Sequence, residues 1–329
     1  FDKDPGASVL VIPEVAVTRN QNGTRLTITS NVAISDSHLA GVISEINRPR
    51  VVAQGINNVT WLPGSRPVSE WQLAVDNAVA RINSGELDKV VLARDIVAQL
   101  DQPIHIGALL IRLNESFPEC WTFCVDGLVG ATPELLVRLS KALITSRILA
   151  GTIRKTGDDE RDLALAGSLA RSSKDLEEHE YAVRSVADAL DPFCTSTNVP
   201  ESPFVLHLAN VMHLATDVTG ALIESKKSVD AFTILEKLHP SAAVCGTPTN
   251  IAADVIKRIE GMSRGRYAGP VGWLDARGDG ELGIALRCGQ ITENEIQIYA
   301  GCGIVVGSNP EKELTESSAK FAPMRSALN

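Results

Sequence analysis

The order of strand-like and helix-like patterns is the feature that most constrains the fold of this 329-residue chain. Apolar runs typical of strands come in groups, as between residues 121 and 150. Apolar residues at helical spacing come in consecutive stretches, as over 158–171 and 174–190. A doubly wound parallel sheet would need strands and helices that alternate along the chain. The grouping therefore predicts an α+β fold.

The chain shows no repeat, no low-complexity stretch and no linker between residues 90 and 329. We therefore expect one domain over 1–329, in which residues 1–84 add N-terminal strands and a helix. Residues 204–219 and 282–288 are each expected to form one strand. The other expected elements are a hairpin of 8–17 and 24–35 around Gln21-Asn22-Gly23, a strand at 89–94, and helices at 67–82, 104–115, 229–238 and 250–261.

Composition excludes several classes of function. The chain has 44% hydrophobic residues but no apolar run of the ~18 to 20 residues that cross a bilayer, and its polar start at 1–5 predicts no secretory signal. A net charge of −9 argues against nucleic acid or an anionic membrane as partner. The six cysteines form no C-x-x-C pair and lie mostly in apolar runs. We expect reduced thiols and a cytoplasmic protein.

Two short acidic segments predict a metal site. After the turn at 308–310, Glu313 and Glu316 stand at i, i+3 in a helical pattern that also carries Lys320. Asp175 and Glu178 repeat this spacing in the segment 174–179. Two such faces brought together would repel each other unless a hard cation lay between them. Carboxylate oxygens are ligands that Mg²⁺ takes.

Three other motif matches are rejected by their context. The G-x-G-x-x-G match that begins at Gly278 lies in a predicted hairpin turn, not between a strand and a helix. The G-x-S-x-G match at Gly261 follows a helix, the reverse of a nucleophile elbow. His207 and His213 have no third ligand pattern, which favours core or substrate-contacting histidines over zinc ligands.

Eight motifs occur in one order over residues 85–329. They are 89–94 (KVVLAR), 130–136 (GATPELL), 149–152 (LAGT), 174–179 (KDLEEH), 239–248 (HPSAAVCGTP), 267–273 (YAGPVGW), 285–287 (ALR) and 301–305 (GCGIV). Through them the chain resembles the chorismate-utilising enzymes, and within that family it is most similar to the isochorismate synthases.

This resemblance implies an α+β fold with large, mainly antiparallel sheets at the centre, helices outside and an active site between the two halves. It also implies a Mg²⁺-dependent conversion of chorismate to isochorismate, in which water adds at C2 while the 4-hydroxyl departs. Isochorismate feeds menaquinone or catecholate and salicylate siderophore biosynthesis.

The resemblance also assigns roles to residues of this chain. Glu134 matches the general acid that protonates the departing hydroxyl, and Lys89 matches the base that activates water. A lysine base must be neutral at some stage, and burial in an apolar strand would lower its pKa accordingly. Mg²⁺ is expected at Glu178 and Glu316, supported by Asp175 and Glu313. Residues expected to bind substrate are Gly151, Thr152, Ala243, Tyr267, Arg287, Gly301 and Lys320.

Three alternatives to isochorismate synthase stay open. A salicylate synthase would form isochorismate and then expel pyruvate, with the same acid, base and acidic positions. Anthranilate and aminodeoxychorismate synthase subunits use ammonia from a glutamine amidotransferase, but the anthranilate enzymes lack the lysine that matches Lys89. The third alternative is a non-catalytic binding protein. We expect a monomer without an obligate amidotransferase partner.

Overall fold

The computed structural model describes residues 8–21, 23–48, 58–224 and 229–329. Within this part, residues 8–48 belong to one compact unit and residues 58–329 to another. The single domain expected over the whole chain stays a prediction. The chain start at 1–5 and Asn22 of the expected hairpin turn lie outside the described residues.

The smaller unit contains the predicted hairpin. Strands β1 (Val15–Asn20) and β2 (Gly23–Ile28) pair antiparallel, from Val15 opposite Ile28 to Asn20 opposite Gly23. The hairpin is shorter than expected, because β2 ends at Ile28 and not near residue 35. Helix α1 (Asp36–Ile46), which the sequence analysis did not predict, begins where the Ser35 side chain accepts a hydrogen bond from the His38 N–H.

The larger unit contains most of the described strands and helices. Its strands are β3 (Val59–Pro63), β4 (Lys89–Leu100), β5 (Trp121–Val125), β6 (Leu128–Thr132), β7 (Leu135–Ser140), β8 (Leu143–Arg154), β9 (Cys194–Asn198), β10 (Phe204–His207), β11 (Val211–Leu222), β12 (Gly246–Thr247), β13 (Pro270–Leu274), β14 (Gly280–Ile284), β15 (Cys288–Thr292) and β16 (Glu295–Ile304). Its helices are α2 (Val68–Asn83), α3 (Ile106–Ser116), α4 (Asp159–Leu169), α5 (Ser173–Leu190), α6 (Ala231–Leu238), α7 (Thr249–Ile259), α8 (Pro310–Lys320) and α9 (Ala322–Leu328). The predicted helices are confirmed to within a few residues.

The strands of the larger unit form two sheets. Sheet I has the order β10-β11-β8-β7-β14-β13, with β9 also paired to β11. Sheet II has the order β12-β4-β16-β15-β6-β5, with β3 also paired to β4. The strand pairs in both sheets are antiparallel. The predicted α+β fold with antiparallel sheets is confirmed.

The chain passes between the two sheets at two short junctions. Pro133 and Glu134 connect β6 of sheet II to β7 of sheet I. Residues 285–287 connect β14 of sheet I to β15 of sheet II, with Arg287 at a positive φ of 49°. The single strand predicted over 282–288 is therefore wrong, because this segment supplies strands to two different sheets. Residues 208–210 likewise divide the predicted strand 204–219 into β10 and β11.

The largest hydrophobic core among the described residues joins both sheets to helices α5 and α6. It joins Ile148 and Val218 of sheet I to Ala93 and Tyr299 of sheet II. Separate clusters pack helices against the sheets, with α2 and α7 on β4 and β16, and α3 and α9 on sheet II as well. Among the described residues, no helix combines the length and hydropathy needed to cross a bilayer. The two junctions between the sheets lie beside the largest core.

Candidate active site

A cavity in the larger unit is lined by residues of both sheets and of helices α5 and α8. Both junctions contribute to it, through Pro133 and Glu134 on one side and Leu286 and Arg287 on the other. The predicted site residues in its wall are Glu134, Gly151, Thr152, Glu178, Ala243, Tyr267, Arg287, Gly301 and Lys320. The structure thus brings together side chains that are far apart in the sequence.

Lys89 lies just behind the cavity wall at the start of β4. Its side chain is fully buried, and its Nζ lies 3.5 Å from Oε1 of Glu178 and donates to the Glu178 carbonyl oxygen at 3.3 Å. Burial lowers the pKa of Lys89, while the carboxyl groups of Glu178 and Glu134 oppose that shift. A lysine with a lowered pKa can become neutral and accept a proton.

The backbone at Gly303 makes room for this ion pair. A Cβ placed on Gly303 would lie 2.0 Å from Oε1 of Glu178 and 3.0 Å from Cε of Lys89. The first distance is too short for any contact and the second is tight, so a side chain at this position would displace the Glu178 carboxylate and press on the Lys89 stem. Gly303 therefore leaves room for the ion pair, although it had no predicted role.

Two further glutamates lie on helix α8. Asn309 caps this helix by accepting from the N–H groups of Glu311 and Lys312. Oε1 of the buried Glu313 lies 2.7 Å from Nζ of Lys174 on α5. Oε1 of Glu316 lies 2.5 Å from Nζ of Lys320, which also donates to the Gly301 carbonyl at 2.9 Å.

We call this group of six residues, of which Glu178 and Lys320 line the cavity and the others lie next to these two, the paired end of the cavity, because each carboxylate has a lysine partner. Its members are Glu178 with Lys89, Glu313 with Lys174, and Glu316 with Lys320. Burial raises the pKa of Glu178, and the Glu316 carboxylate raises it further, against the effect of Lys89. Burial and Glu316 also raise the pKa of Glu313. The three carboxylates therefore share one electrostatic environment.

The donor set of the paired end fits Mg²⁺. The Glu316 carboxylate raises the pKa of both Glu178 and Glu313, and a divalent cation would stabilise carboxylates held this close. Oxygen donors suit Mg²⁺ better than softer metals. Cys302 also places its sulfur within 4.8 Å of the ligand atoms of Glu313 and Glu316. However, Cys302 belongs to the apolar cluster on the far face of β16 and donates to the Glu313 carbonyl. The thiol therefore does not change the preference for a hard cation.

Asp175 differs from the other predicted metal-site acids in its contacts. Within the described residues, its carboxylate takes no part in the ion pairs and hydrogen bonds that join the paired end, and its backbone N–H donates to Ser172 at the start of α5. The Asp175 Cβ instead lies 3.0 Å from the position that a Cβ on Gly151 would occupy. Asp175 thus supports the glycine segment of the wall.

We call Glu134 and Arg287 the unpaired end of the cavity. Both are buried, and neither has an ion-pair partner within 4.0 Å among the described residues. Burial raises the pKa of Glu134 to about 8, against the opposing charges of Lys89 and Arg287. Glu134 is therefore mostly protonated at neutral pH, and Arg287 is a buried cation without a carboxylate.

Arg287 contacts a neutral partner instead. Its Nη2 lies 2.9 Å from Nε2 of the buried His213, and Nδ1 of His213 lies 3.0 Å from Oγ1 of Thr152. Burial lowers the pKa of His213 well below its usual value, and the charges of Arg287 and Lys320 lower it further. Arg287 keeps N–H groups that can bind an anion in the cavity.

The remaining predicted residues shape the wall. Tyr267 stacks on Tyr299 with ring centroids 5.2 Å apart, and a Cβ on Gly301 would lie 3.1 Å from the Tyr267 hydroxyl. Gly151 has a φ of 77°, in the left-handed region that glycine tolerates. Ala243 lies in the wall as expected for an apolar surface beside a ring. The glycines leave backbone groups open to a ligand.

Comparison with known families decides the family of the chain. Residues 2–329 match the family model described as "Chorismate binding enzyme". The chain belongs to this family. The family explains why acidic, basic and glycine-rich motifs that are distant in sequence meet in one cavity.

Among the relatives of this chorismate-binding enzyme are two proteins of Bacillus subtilis (strain 168). It is 39% identical to isochorismate synthase DhbC over 80% of this chain and 69% of the relative. It is 36% identical to isochorismate synthase MenF over 79% of this chain and 55% of the relative. The chain thus spans between about half and two thirds of their lengths.

A solved structure shares the fold of this chorismate-binding enzyme. It is MenF, the menaquinone-specific isochorismate synthase from Escherichia coli, which superposes with a TM-score of 0.83 at 28% identity. The match covers 96% of this chain and 75% of the solved chain.

Several lining or neighbouring residues of this chorismate-binding enzyme had no predicted role, and three of them make specific contacts. Lys174 and Gly303 lie inside the family motifs quoted above, so the sequence indicated their positions but not their contacts. Arg264 lies outside these family motifs. Its guanidinium donates to the buried Glu260 at 2.7 Å, to the Val244 carbonyl at 2.9 Å and to the Val91 carbonyl at 2.8 Å. It therefore connects strand β4, which carries Lys89, to the loop beside the cavity.

Proposed function

We propose that this chain is an isochorismate synthase, which converts chorismate to isochorismate with Mg²⁺. One observation carries the proposal: a buried carboxyl whose pKa is raised to about 8 lines the cavity, and a buried lysine whose pKa is lowered lies just behind the cavity wall. Adding water at one carbon while a hydroxyl leaves another requires one proton donor and one proton acceptor. The names of the relatives support the same activity.

Glu134 is proposed as the general acid. Hydroxide is a poor leaving group, so the departing 4-hydroxyl of chorismate must receive a proton. Below about pH 8 the Glu134 carboxyl holds that proton, because burial disfavours its ionised form.

Lys89 is proposed as the general base. It must lose a proton before it can accept one from the water that adds at C2. Burial favours that loss, whereas its ion pair with Glu178 opposes it. Lys89 and Glu134 therefore divide the two proton transfers between them.

Mg²⁺ is proposed to bind at Glu178 and Glu316, with Glu313 as a supporting acid. When bound, the ion would supply positive charge to a substrate carboxylate. The chain's own contribution is to present several carboxylates together in a buried place, which the interactions among Glu178, Glu313 and Glu316 support.

Chorismate carries two carboxylates, and the unpaired end offers a site for one of them. Arg287 can present a planar pair of N–H groups to a carboxylate. The Thr152 hydroxyl and the open backbone at Gly151 and Gly301 add further donors to the same wall. The product is proposed to feed menaquinone or siderophore biosynthesis. A cytoplasmic location, a monomeric state and independence from an amidotransferase stay predictions.

Product analysis tests the proposed function. The full chain is incubated with chorismate and Mg²⁺, with and without excess chelator and with and without ammonium, and products are separated by chromatography. We expect isochorismate alone, with turnover lost in chelator and restored by added Mg²⁺. Salicylate with pyruvate would indicate a salicylate synthase instead. An amine product formed in preference to isochorismate would indicate an ammonia-using enzyme, and no conversion would contradict catalysis.

A further inference from the structure

The contact between Arg287 and His213 fixes the protonation pattern of a buried imidazole. A guanidinium group has N–H donors and no acceptor. Its Nη2 lies 2.9 Å from Nε2 of His213, so Nε2 must accept this hydrogen bond and carry no hydrogen. Both side chains are buried, with 7% and 4% of their surfaces exposed, so water cannot readily replace either partner.

The other ring nitrogen must then carry the hydrogen of the neutral imidazole. Nδ1 of His213 lies 3.0 Å from Oγ1 of Thr152. The Thr152 hydroxyl therefore accepts from Nδ1–H and keeps its own hydrogen available. Thr152 is a lining residue, so that hydrogen can be donated into the cavity.

We propose that His213 is a positioning residue which, as the Nδ1–H tautomer, holds the Arg287 guanidinium and the Thr152 hydroxyl together as donors to one substrate anion. The identity of that anion as a chorismate carboxylate rests on the proposed function. The tautomer and the two contacts do not depend on it.

The residue type suits this role. A protonated imidazole would present a second cation to Arg287 and could not accept from it. A carboxylate in its place would neutralise Arg287 and compete with the substrate anion. A neutral histidine accepts from one partner and donates to the other, and so orients Arg287 without cancelling its charge.

The first test measures the tautomer in the free protein. Two-bond ¹H–¹⁵N correlation spectra of the histidine side chains separate the two neutral tautomers and the imidazolium, and the His213 signals are assigned by their loss in His213→Gln. We expect the Nδ1–H pattern at neutral pH without substrate. An Nε2–H pattern or an imidazolium would overturn the proposal, whatever the enzyme's activity.

The second test separates the two contacts by substitution. His213→Gln can keep an acceptor near the position of Nε2, whereas His213→Asn keeps a polar group near Nδ1 and loses the acceptor for Arg287. We expect His213→Asn to raise KM by about 10- to 100-fold, the range for a lost hydrogen bond to a charged group, with kcat close to wild type. His213→Gln should raise KM less. A fall in kcat with unchanged KM in both variants would overturn the proposal.

His207→Gln is the matched control. His207 is exposed on β10, the strand next to the one that carries His213, and the same substitution there should leave KM unchanged. Thr152→Val completes the test. As a single substitution it should raise KM. Combined with His213→Gln it should raise KM little further, because the contact to Thr152 is already lost in that variant. Fully additive effects would contradict the connection between Thr152 and His213. If chorismate is not the substrate, the spectra still decide the tautomer.

Discussion

The two ends of the cavity handle buried charge in opposite ways. At the paired end, Glu178, Glu313 and Glu316 each lie within 4.0 Å of a lysine nitrogen. At the unpaired end, Glu134 avoids an ion pair by holding its proton, with a pKa of about 8. Arg287 keeps its charge beside a neutral histidine.

This difference indicates which ligand each end can take. The paired end already has cations in contact with its acids, so an incoming metal ion must replace lysine contacts. The unpaired end has a cation whose charge no described carboxylate neutralises, so an incoming anion replaces only water and gains a charge-assisted hydrogen bond. Changing one residue at each end should therefore have different consequences.

The largest expected effects come from replacing the acid and the base. Glu134→Gln and Lys89→Gln should each lower isochorismate formation by about 10²–10⁴-fold, the range for a positioned proton transfer. Glu134→Gln should also block amination by added ammonia, because every nucleophile needs the 4-hydroxyl to leave. Lys89→Gln should retain slow amination, because ammonia needs no base.

Product formation with and without ammonium at alkaline pH measures both variants. Wild-type rates of isochorismate formation by Lys89→Gln would show that the base is another group. They would also remove the main reason to prefer a water-using enzyme over its ammonia-using relatives.

The next largest effect should come from filling the space at Gly303. Gly303→Ala places a methyl group 2.0 Å from Oε1 of Glu178, which forces that carboxylate and Lys89 to move. A shift of about 1 Å in a catalytic group can reduce turnover about 100-fold. Gly167→Ala in α4 is the control, because its Cβ would meet its nearest neighbour at 3.4 Å, an ordinary contact. Equal activities of the two variants would contradict the crowding at Gly303.

Arg287→Lys tests the unpaired end. A lysine replaces the planar fork with a point charge and cannot make the same two-point contact with a carboxylate. We expect kcat/KM to fall by about 10- to 100-fold, mostly through KM, from the loss of hydrogen bonds to a charged group. Steady-state kinetics measures the effect. Unchanged kinetic constants would place Arg287 outside the substrate site.

Raising the pH should ionise Glu134 and abolish its role as acid. Because its pKa is raised to about 8, the fraction of Glu134 that can act as an acid should fall about tenfold per pH unit above that value, and kcat/KM should fall with it at pH values where Lys89 is already neutral. Stability provides a second measurement. Between pH 4.5 and about 8 the native carboxyl holds a proton that the unfolded chain has lost, so wild-type stability should fall relative to Glu134→Gln by about 1.4 kcal/mol per pH unit. A constant difference would contradict the raised pKa.

The sequence predicted most elements because their apolar periodicity is strong, but it could not predict where the chain changes sheets. Residues 282–288 form an apolar run without glycine or proline in its last five positions, yet packing breaks it at 285–287 and sets Arg287 at a positive φ. The sequence analysis also did not predict helix α1, although this helix has no buried residue and begins at the Ser35 cap, which is a local signal. Tertiary packing decided only the break at 285–287.

The same limit applies to the site. The i, i+3 spacing predicted that Glu313 and Glu316 share a helix face, since that relation is local. The contact between Lys174 and Glu313 joins residues 139 positions apart, so no local pattern could show it. The family motifs indicated which residues meet, but only the structure shows that Glu178, Glu313 and Glu316 each have a lysine partner.

The smallest expected effect concerns Lys174, which bears on whether the paired end competes with metal. Its side chain is 33% exposed and contacts Glu313, which is 2% exposed. The pKa of Lys174 is raised. Burial lowers it, but the Glu313 carboxylate raises it more, and the carboxylates of Glu178 and Glu316 raise it further. Lys174 thus faces the carboxylates that would hold Mg²⁺.

Lys174→Gln should therefore tighten Mg²⁺ binding to the substrate-free protein, because one competing positive charge is removed. A partly exposed ion pair contributes about 0.3–1 kcal/mol, which corresponds to roughly a two- to fivefold change in Kd by titration calorimetry. Lys312→Gln removes the same charge from the exposed face of α8 and should leave Kd nearly unchanged. Equal shifts in both variants would mean that only net charge matters. Weaker Mg²⁺ binding in Lys174→Gln would mean that Lys174 positions Glu313 for the metal ion and does not compete with the metal ion. The two ends of the cavity would then differ in the geometry of their side chains and not in their charge.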